Sequence, residues 1–200
     1  MRSDLFWIPG PWRGRLAIAS RPRGGDWLEA EAAGWRDSDV DAIVSLLEKD
    51  EATQLDLLQE CRAAEDNGMH YISFAIPDRD VPASTRDALS LMTHILAELE
   101  AGKNVAVHCR QGIGRSGLIG AGVLMTAGAS PSLAIRTVST ARGVAIPETR
   151  QQLRWIERRQ LPTRSPRPEW RHSIFVPIAG AGVQRRPAPL SRVSGGPSRE

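Results

Sequence analysis

The stretch HCRQGIGRSG, residues 108–117, places the thiol of Cys109 and the guanidinium of Arg115 at the two ends of a glycine-bearing turn. An apolar run, Val105-Ala106-Val107, precedes it, and a pattern of small helical residues follows. A strand leading through a tight turn into a helix start aims backbone N–H groups at one centre, where the helix dipole is positive. The amides from Arg110 to Arg115, across Arg110, Gln111, Gly112, Ile113 and Gly114, therefore form an anion cradle, and Arg115 adds a planar fork that grips two oxygens of a phosphate. Cys109 lies at the base of that cradle, where a positive field favours the thiolate, the nucleophilic form. A phosphate monoester held there meets the sulfur in line with its leaving oxygen, and a phospho-cysteine intermediate is the expected product. Ser116 is placed to hydrogen-bond the sulfur and help it leave in the second step.

Such a loop needs a frame. Short apolar segments alternate with helical patterns along most of the chain, which predicts an α/β domain with a central, mostly parallel sheet flanked by helices. Strands are expected at 15–19, 41–47, 69–76 and 105–107. Helices are expected from Asp26, a candidate N-cap, over 51–67, 84–100, 116–127, 130–141 and 148–160. The helix over 84–100 turns Leu89, Met92, Ile95, Leu96 and Leu99 inward and stops at Gly102. In sheets of this kind, sites form at the carboxyl ends of strands, where the stretch 108–117 lies.

The spacing His108, Cys109, five residues, Arg115, Ser116 resembles the signature loop of the protein tyrosine and dual-specificity phosphatases. The resemblance extends over Arg15–Trp27, Val44–Glu48, Ile76–Ser84 and Ile146–Ile156. These segments look like small bacterial members near the cyclin-dependent-kinase-inhibitor-3-like group. It covers residues 5–160, read as a single catalytic domain. The resemblance implies a general acid about thirty residues before the cysteine. Asp78 is favoured because it follows Ile76-Pro77 directly; Asp80, where related sequences often carry glycine, is the alternative. It further implies that Gln152 helps place the hydrolytic water, with Gln151 its neighbour, and that His108 orients the loop. Glu148 either caps the last helix or pairs with an arginine. In some relatives a second cysteine protects the first as a disulfide, but Cys61 sits at a helical position beside Leu57 and Leu58 and reads as a packing residue. The tryptophans read mostly as core or surface anchors; Trp7 and Trp12 flank the proline-rich entry, where the alternative is that they rim the cleft without contacting substrate.

The implied activity is a cysteine-based phosphoric monoester hydrolase acting on phosphotyrosine, with phosphoserine and phosphothreonine as further substrates. A phosphoinositide or other small phosphate monoester is the alternative substrate class. Its loops often carry extra lysines, and this loop has none. A rhodanese-like sulfurtransferase shares the alternation of strands and helices but not the Asp78 loop. A non-catalytic phosphate-binding module would have lost the cysteine, the arginine or the acid. No cofactor and no metal are expected.

Composition narrows the rest. Of the 200 residues, 41% are hydrophobic, enough for a real core, and no apolar run is long enough to span a membrane. Two cysteines make no disulfide framework, and the amino-terminal residues do not have the order of a signal peptide, so a cytoplasmic protein is expected. The net charge of +3 is uneven: residues 161–200 hold seven arginines and two glutamates, whereas 1–160 hold 19 basic and 21 acidic residues. The catalytic portion is therefore no nucleic-acid binder. The remaining 161–200, rich in proline, serine and arginine with one apolar island at Ile174–Ile178, reads as a disordered tail, either solvated with no role of its own or docking an acidic partner.

Overall fold

A computed structural model describes residues 4–158 of the protein. The reading of 161–200 as a tail lies outside the described residues.

Five strands form one sheet: β1 (Leu5–Ile8), β2 (Leu16–Ser20), β3 (Ala42–Ser45), β4 (His70–Ser73) and β5 (Val105–Cys109), in the order β1-β2-β5-β3-β4. β1 runs antiparallel to β2; every other pairing is parallel. Seven α-helices flank the sheet: α1 (Leu28–Arg36), α2 (Lys49–Gln54), α3 (Glu60–Asp66), α4 (Thr85–Glu100), α5 (Arg115–Thr126), α6 (Pro131–Arg142) and α7 (Arg150–Glu157). The expected α/β architecture is the one observed.

The central strands are buried on both faces, as parallel strands covered by helices must be. On one face, Leu16, Ile18, Val44, Val105 and Val107 pack with Met92, Ile95 and Leu99 of α4 and Leu118, Ile119 and Val123 of α5. On the other, Ile43 and Ala106 pack with Leu28 and Trp35 of α1 and Ala63 and Ala64 of α3. The two-residue period of β5 decides more than packing. Cys109 follows Val105 and Val107 onto the α5 face, whereas His108 follows Ala106 onto the α1–α3 face. The thiol and the imidazole before it therefore belong to opposite layers.

The helix expected over 51–67 is two helices. α2 stops at Gln54, and two residues on Asp56 takes a left-handed φ of 55°, while Leu57 N–H reaches back to the carbonyl of Ala52 at 2.8 Å. This closes the helix as glycine usually does. The turn seats against backbone elsewhere: Gly25 N–H donates to the Asp56 carbonyl at 3.0 Å, and a Cβ on Gly24 would lie 2.0 Å from the Leu55 carbonyl. The break rotates α3 away from the expected register, leaving Leu58 and Cys61 exposed and Leu57 buried. Cys61 is thus not a packing residue. Asp26 is not an α-helix cap either; it lies in a 3-10 turn, Gly25–Trp27, that leads into α1. In α4, Ser84 caps the helix through Asp87 N–H, and Ala88 and Leu91 rather than Leu89 complete the buried face. The strand β1 was not anticipated from sequence.

Candidate active site

β5 ends at Cys109 and α5 begins at Arg115, so the five residues between them make the turn at the carboxyl edge of the sheet. Two interactions shape it. Gly112 has a φ of 67°, and a Cβ there would lie 2.5 Å from the Ala19 backbone at the end of β2, so only glycine fits. From outside, Arg142 of α6 donates through Nε to the Gly112 carbonyl at 2.9 Å and through a terminal nitrogen to the Gln111 carbonyl at 3.2 Å. Its guanidinium lies over the Phe6 ring, 4.0 Å from the centroid. Across a trans peptide the C=O and the next N–H point opposite ways. Drawing those two carbonyls outward therefore turns the N–H groups of Gly112 and Ile113 toward the cradle. No backbone N–H from Gln111 to Gly114 donates to a carbonyl among the described residues. The side chain of Ile113 packs on the core, so that residue offers its amide alone.

Cys109 is buried, and its Sγ lies 3.4 Å from Ser116 Oγ, close enough for the hydroxyl to donate to sulfur. Arg115, only 2% exposed, is held on several sides. Its two terminal nitrogens meet both carboxylate oxygens of Glu51, at 3.0 Å for the second, and it donates to the Ile76 carbonyl at 3.0 Å. Burial pushes the Glu51 carboxyl up, but hydrogen bonds from Arg115 and from Glu48 N–H, with the charges of Arg115 and Arg110, outweigh it. Glu51 therefore stays below the ordinary carboxylate value. Burial disfavours the charged Arg115, and Glu51, Cys109 and Asp78 more than restore it, so the guanidinium is firmly cationic.

Asp78 and Asp80 are sorted by a turn. Asp80 N–H donates to the Pro77 carbonyl at 3.0 Å, and Arg79 between them has a left-handed φ of 61°. The turn presents Asp78 to the cleft, its Oδ1 3.0 Å from an Arg115 nitrogen. Asp80 points the other way: its Oδ1 accepts from Val81 N–H and from Gln151 Nε2. Gln152 is fully buried beside Gly114, but its Nε2 donates to the Asp80 carbonyl at 3.0 Å and its Oε1 accepts from Thr149 N–H at 3.3 Å. The Nε2 half of its amide thus ties α7 to the Asp78 loop, while the Oε1 half closes the capping box at the start of α7 itself. Thr149 caps α7, and Glu148 pairs with Arg79 at 3.6 Å.

Asp78, Arg79, Cys109, Arg110, Gln111, Gly114, Arg115 and Glu148 line one cleft of about 110 Å³. Behind it, His108 Nε2 lies 2.8 Å from Glu60 Oε1, though the groups are not aligned for a hydrogen bond. Tyr71 Oη donates to Glu60 Oε2 at 3.2 Å. Burial first, and then the Glu60 charge, pushes the Tyr71 hydroxyl far up, so it remains a donor. Cys61 neighbours this group in sequence, but partial burial and then Glu65 and Glu60 push its thiol up, away from the reactive form. It pairs with no cysteine. Trp7 and Trp12 do not line the cleft.

Sequence reasoning missed Glu51, Glu60, Arg79 and Arg142. Only Glu51 left a trace, the Glu48-x-x-Glu51 capping box that opens α2. Among the described residues no group of three or more His, Cys, Asp or Glu is placed to hold a metal ion, and no helix is long and apolar enough to cross a membrane.

A thiol at the floor of a cradle of amides, closed by a fixed guanidinium and faced by a carboxyl, defines a cysteine-dependent phosphomonoesterase on a tyrosine-phosphatase-like fold. Residues 18–129 match the family described as polymorphic toxin system, DSP-PTPase phosphatase, and the chain belongs to that family. Among solved structures, the active form of Tk-PTP is 32% identical, with a TM-score of 0.59 over 73% of this chain and 93% of its own. Kinase associated phosphatase (KAP), solved with its catalytic-site cysteine replaced by serine, shares the fold at 15% identity. Its TM-score is 0.70, over 78% of this chain and 93% of its own. PTPMT1 in complex with PI(5)P matches at 18% identity and a TM-score of 0.59, over 71% and 87%. Comparison with curated proteins found no match.

Proposed function

We propose that this phosphatase removes phosphate from protein side chains, from phosphotyrosine and also from phosphoserine and phosphothreonine, through a phospho-cysteine intermediate. One observation carries the reading: Asp78 and Cys109 face the same buried guanidinium of Arg115 within a single cleft. In the first step the Cys109 thiolate attacks phosphorus, the bond to the leaving oxygen breaks, and the Asp78 carboxyl gives that oxygen its proton. Arg115 and the inward amides of the loop hold the equatorial oxygens as charge moves onto them. In the second step water attacks phosphorus and Asp78 takes its proton. The sulfur–phosphorus bond then breaks, and the thiolate returns with the Ser116 hydroxyl donating to it. Inorganic phosphate leaves. Gln152 and Glu148 stand at the wall beside Gly114, where that water must enter.

Substrate breadth follows from the walls. No aromatic side chain lines the cleft among the described residues, so nothing in it demands a ring on the leaving group. The rim pairs Arg79 and Arg110 with Asp78 and Glu148, a balance that disfavours a polyanionic inositol headgroup. The decisive experiment is a panel of phosphotyrosine, phosphoserine and phosphothreonine peptides with soluble phosphoinositides, using Cys109→Ser as the blank. Turnover of all three peptide classes, absent in the blank, is expected. Turnover confined to phosphoinositides would replace this reading.

A further inference from the structure

Beside the Asp78 loop lies a second depression, a groove of about 750 Å³ bordered by Val81, Trp155 and the side chains of Arg150, Arg154 and Arg158. The three arginines recur every four residues from the first turn of α7 to its C-cap, so they form a row along one helix face. All three are exposed, and none pairs with a carboxylate among the described residues. The helix dipole accounts for cations in the last turn, but Arg150 sits in the first turn, where a cation is disfavoured. The row thus costs local helix stability at one end and calls for an anionic counterpart.

We propose that this groove docks anionic side chains of the protein substrate, acidic or phosphorylated residues a few positions from the phosphate held over Cys109. The inference rests on the protein-phosphatase reading above and names the sequence context of its substrate. Position supports it: Gln151 and Gln152 bind Asp80, and Val81 is three residues from Asp78, so their Cα atoms are at most about 11 Å apart. Spacing supports it as well. Successive arginines climb about 6 Å along the helix, close to the roughly 6.7 Å between alternate side chains of an extended peptide. The half-buried Trp155 gives the stems of such side chains an apolar wall. Residues 161–200 of the same chain are a poor occupant, with seven arginines against two glutamates. A lipid surface fits less well, because among the described residues the exposed large apolar side chains, Trp27, Leu58 and Val144, do not border the groove.

The test compares kcat/KM for p-nitrophenyl phosphate and three phosphopeptides, with neutral flanks, glutamate flanks or a second phosphate. Each is measured in the wild type, in R154E/R158E and in R154K/R158K. The wild type is expected to prefer both anionic peptides by about tenfold, through KM. The preference should fade as salt rises past about 0.1 M, where screening reaches about 10 Å. R154E/R158E should lose it while p-nitrophenyl phosphate turnover stays unchanged, and the lysine variant should restore most of it. Equal kcat/KM on neutral and anionic peptides, or a preference that survives charge reversal, overturns the proposal. So does a charge-reversal defect confined to phosphoinositide vesicles. Fluorescence anisotropy of the same peptides on Cys109→Ser reads the groove without catalysis. Absent p-nitrophenyl phosphate turnover would count against the chemistry alone, and the anisotropy would still decide the groove.

Discussion

Glu51 and Arg115, 64 positions apart in sequence, form a two-pronged ion pair in which each carboxylate oxygen meets one terminal nitrogen of the guanidinium. Glu51 opens α2 and Arg115 opens α5, so one bond joins two helix starts on either side of the cradle. It presents the guanidinium ready-oriented, with little rotational freedom left to lose when phosphate binds.

Removing that carboxylate leaves a buried cation without its main partner. Glu51→Ala is expected to lower unfolding stability by about 3–5 kcal/mol, measured by urea denaturation, and to raise KM for p-nitrophenyl phosphate. The pH dependence has a definite sign. Because the folded-state value of Glu51 is depressed, its contribution is fully present above the ordinary value of 4.5 and is lost as pH falls through the folded value. Glu51→Gln should therefore flatten the fall of stability between about pH 5 and pH 3. An unchanged slope would mean that other carboxylates dominate acid unfolding.

Asp78 and Asp80 should separate cleanly. Asp78→Asn is expected to reduce kcat on phosphopeptides by about 10²–10⁴, the scale of a general acid. Asp80→Asn should show a much smaller loss, because its carboxylate is spent on Val81 N–H and Gln151. The reverse ranking would move the acid to Asp80.

Arg142 acts on the loop from behind. Arg142→Ala frees the Gln111 and Gly112 carbonyls and should weaken inhibition by inorganic phosphate by about tenfold, since the inward amides lose their alignment. Arg142→Lys should rescue little, because an ammonium cannot span both carbonyls and stack on Phe6. Full rescue by lysine would reduce the contact to simple charge.

The two cysteines should behave differently. Cys109→Ser is expected to keep the fold and abolish turnover. Cys61→Ser should leave kcat within about twofold, as exposed substitutions usually do, and should not change inactivation by peroxide. Greater peroxide sensitivity in Cys61→Ser would revive a protective disulfide.

The group behind the cradle gives a stability prediction. Tyr71→Phe removes one donor to Glu60 and should cost about 1 kcal/mol, whereas Glu60→Ala leaves the buried Tyr71 hydroxyl without its acceptor and should cost about 1–3 kcal/mol. Thermal unfolding measures both, and a stabilising Glu60→Ala would show the buried carboxylate to be a net burden.

The loop itself was legible in the sequence because its chemistry is local. Cys109, Gly112, Arg115 and Ser116 lie within eight residues, and the strand and helix that fix them are the adjacent segments. Strand-helix alternation likewise reports layers, because buried parallel strands need continuous apolar runs. Their distant partners were legible only in part. Asp78 was read from the resemblance around Ile76-Pro77, but Glu51 and Arg142 reach the cradle from two other elements, and residue types alone do not say which distant carboxylate meets which guanidinium. The break at Asp56 escaped for a related reason: its left-handed backbone is held by contact with Gly24 and Gly25, not by a residue type that demands it. Periodicity then carried a helix through it and misplaced Cys61. Local covalent spacing therefore determined the reactive group and its phosphate cradle. Tertiary packing decided how the guanidinium is held, which aspartate faces it, and that arginines 150, 154 and 158 border the same edge.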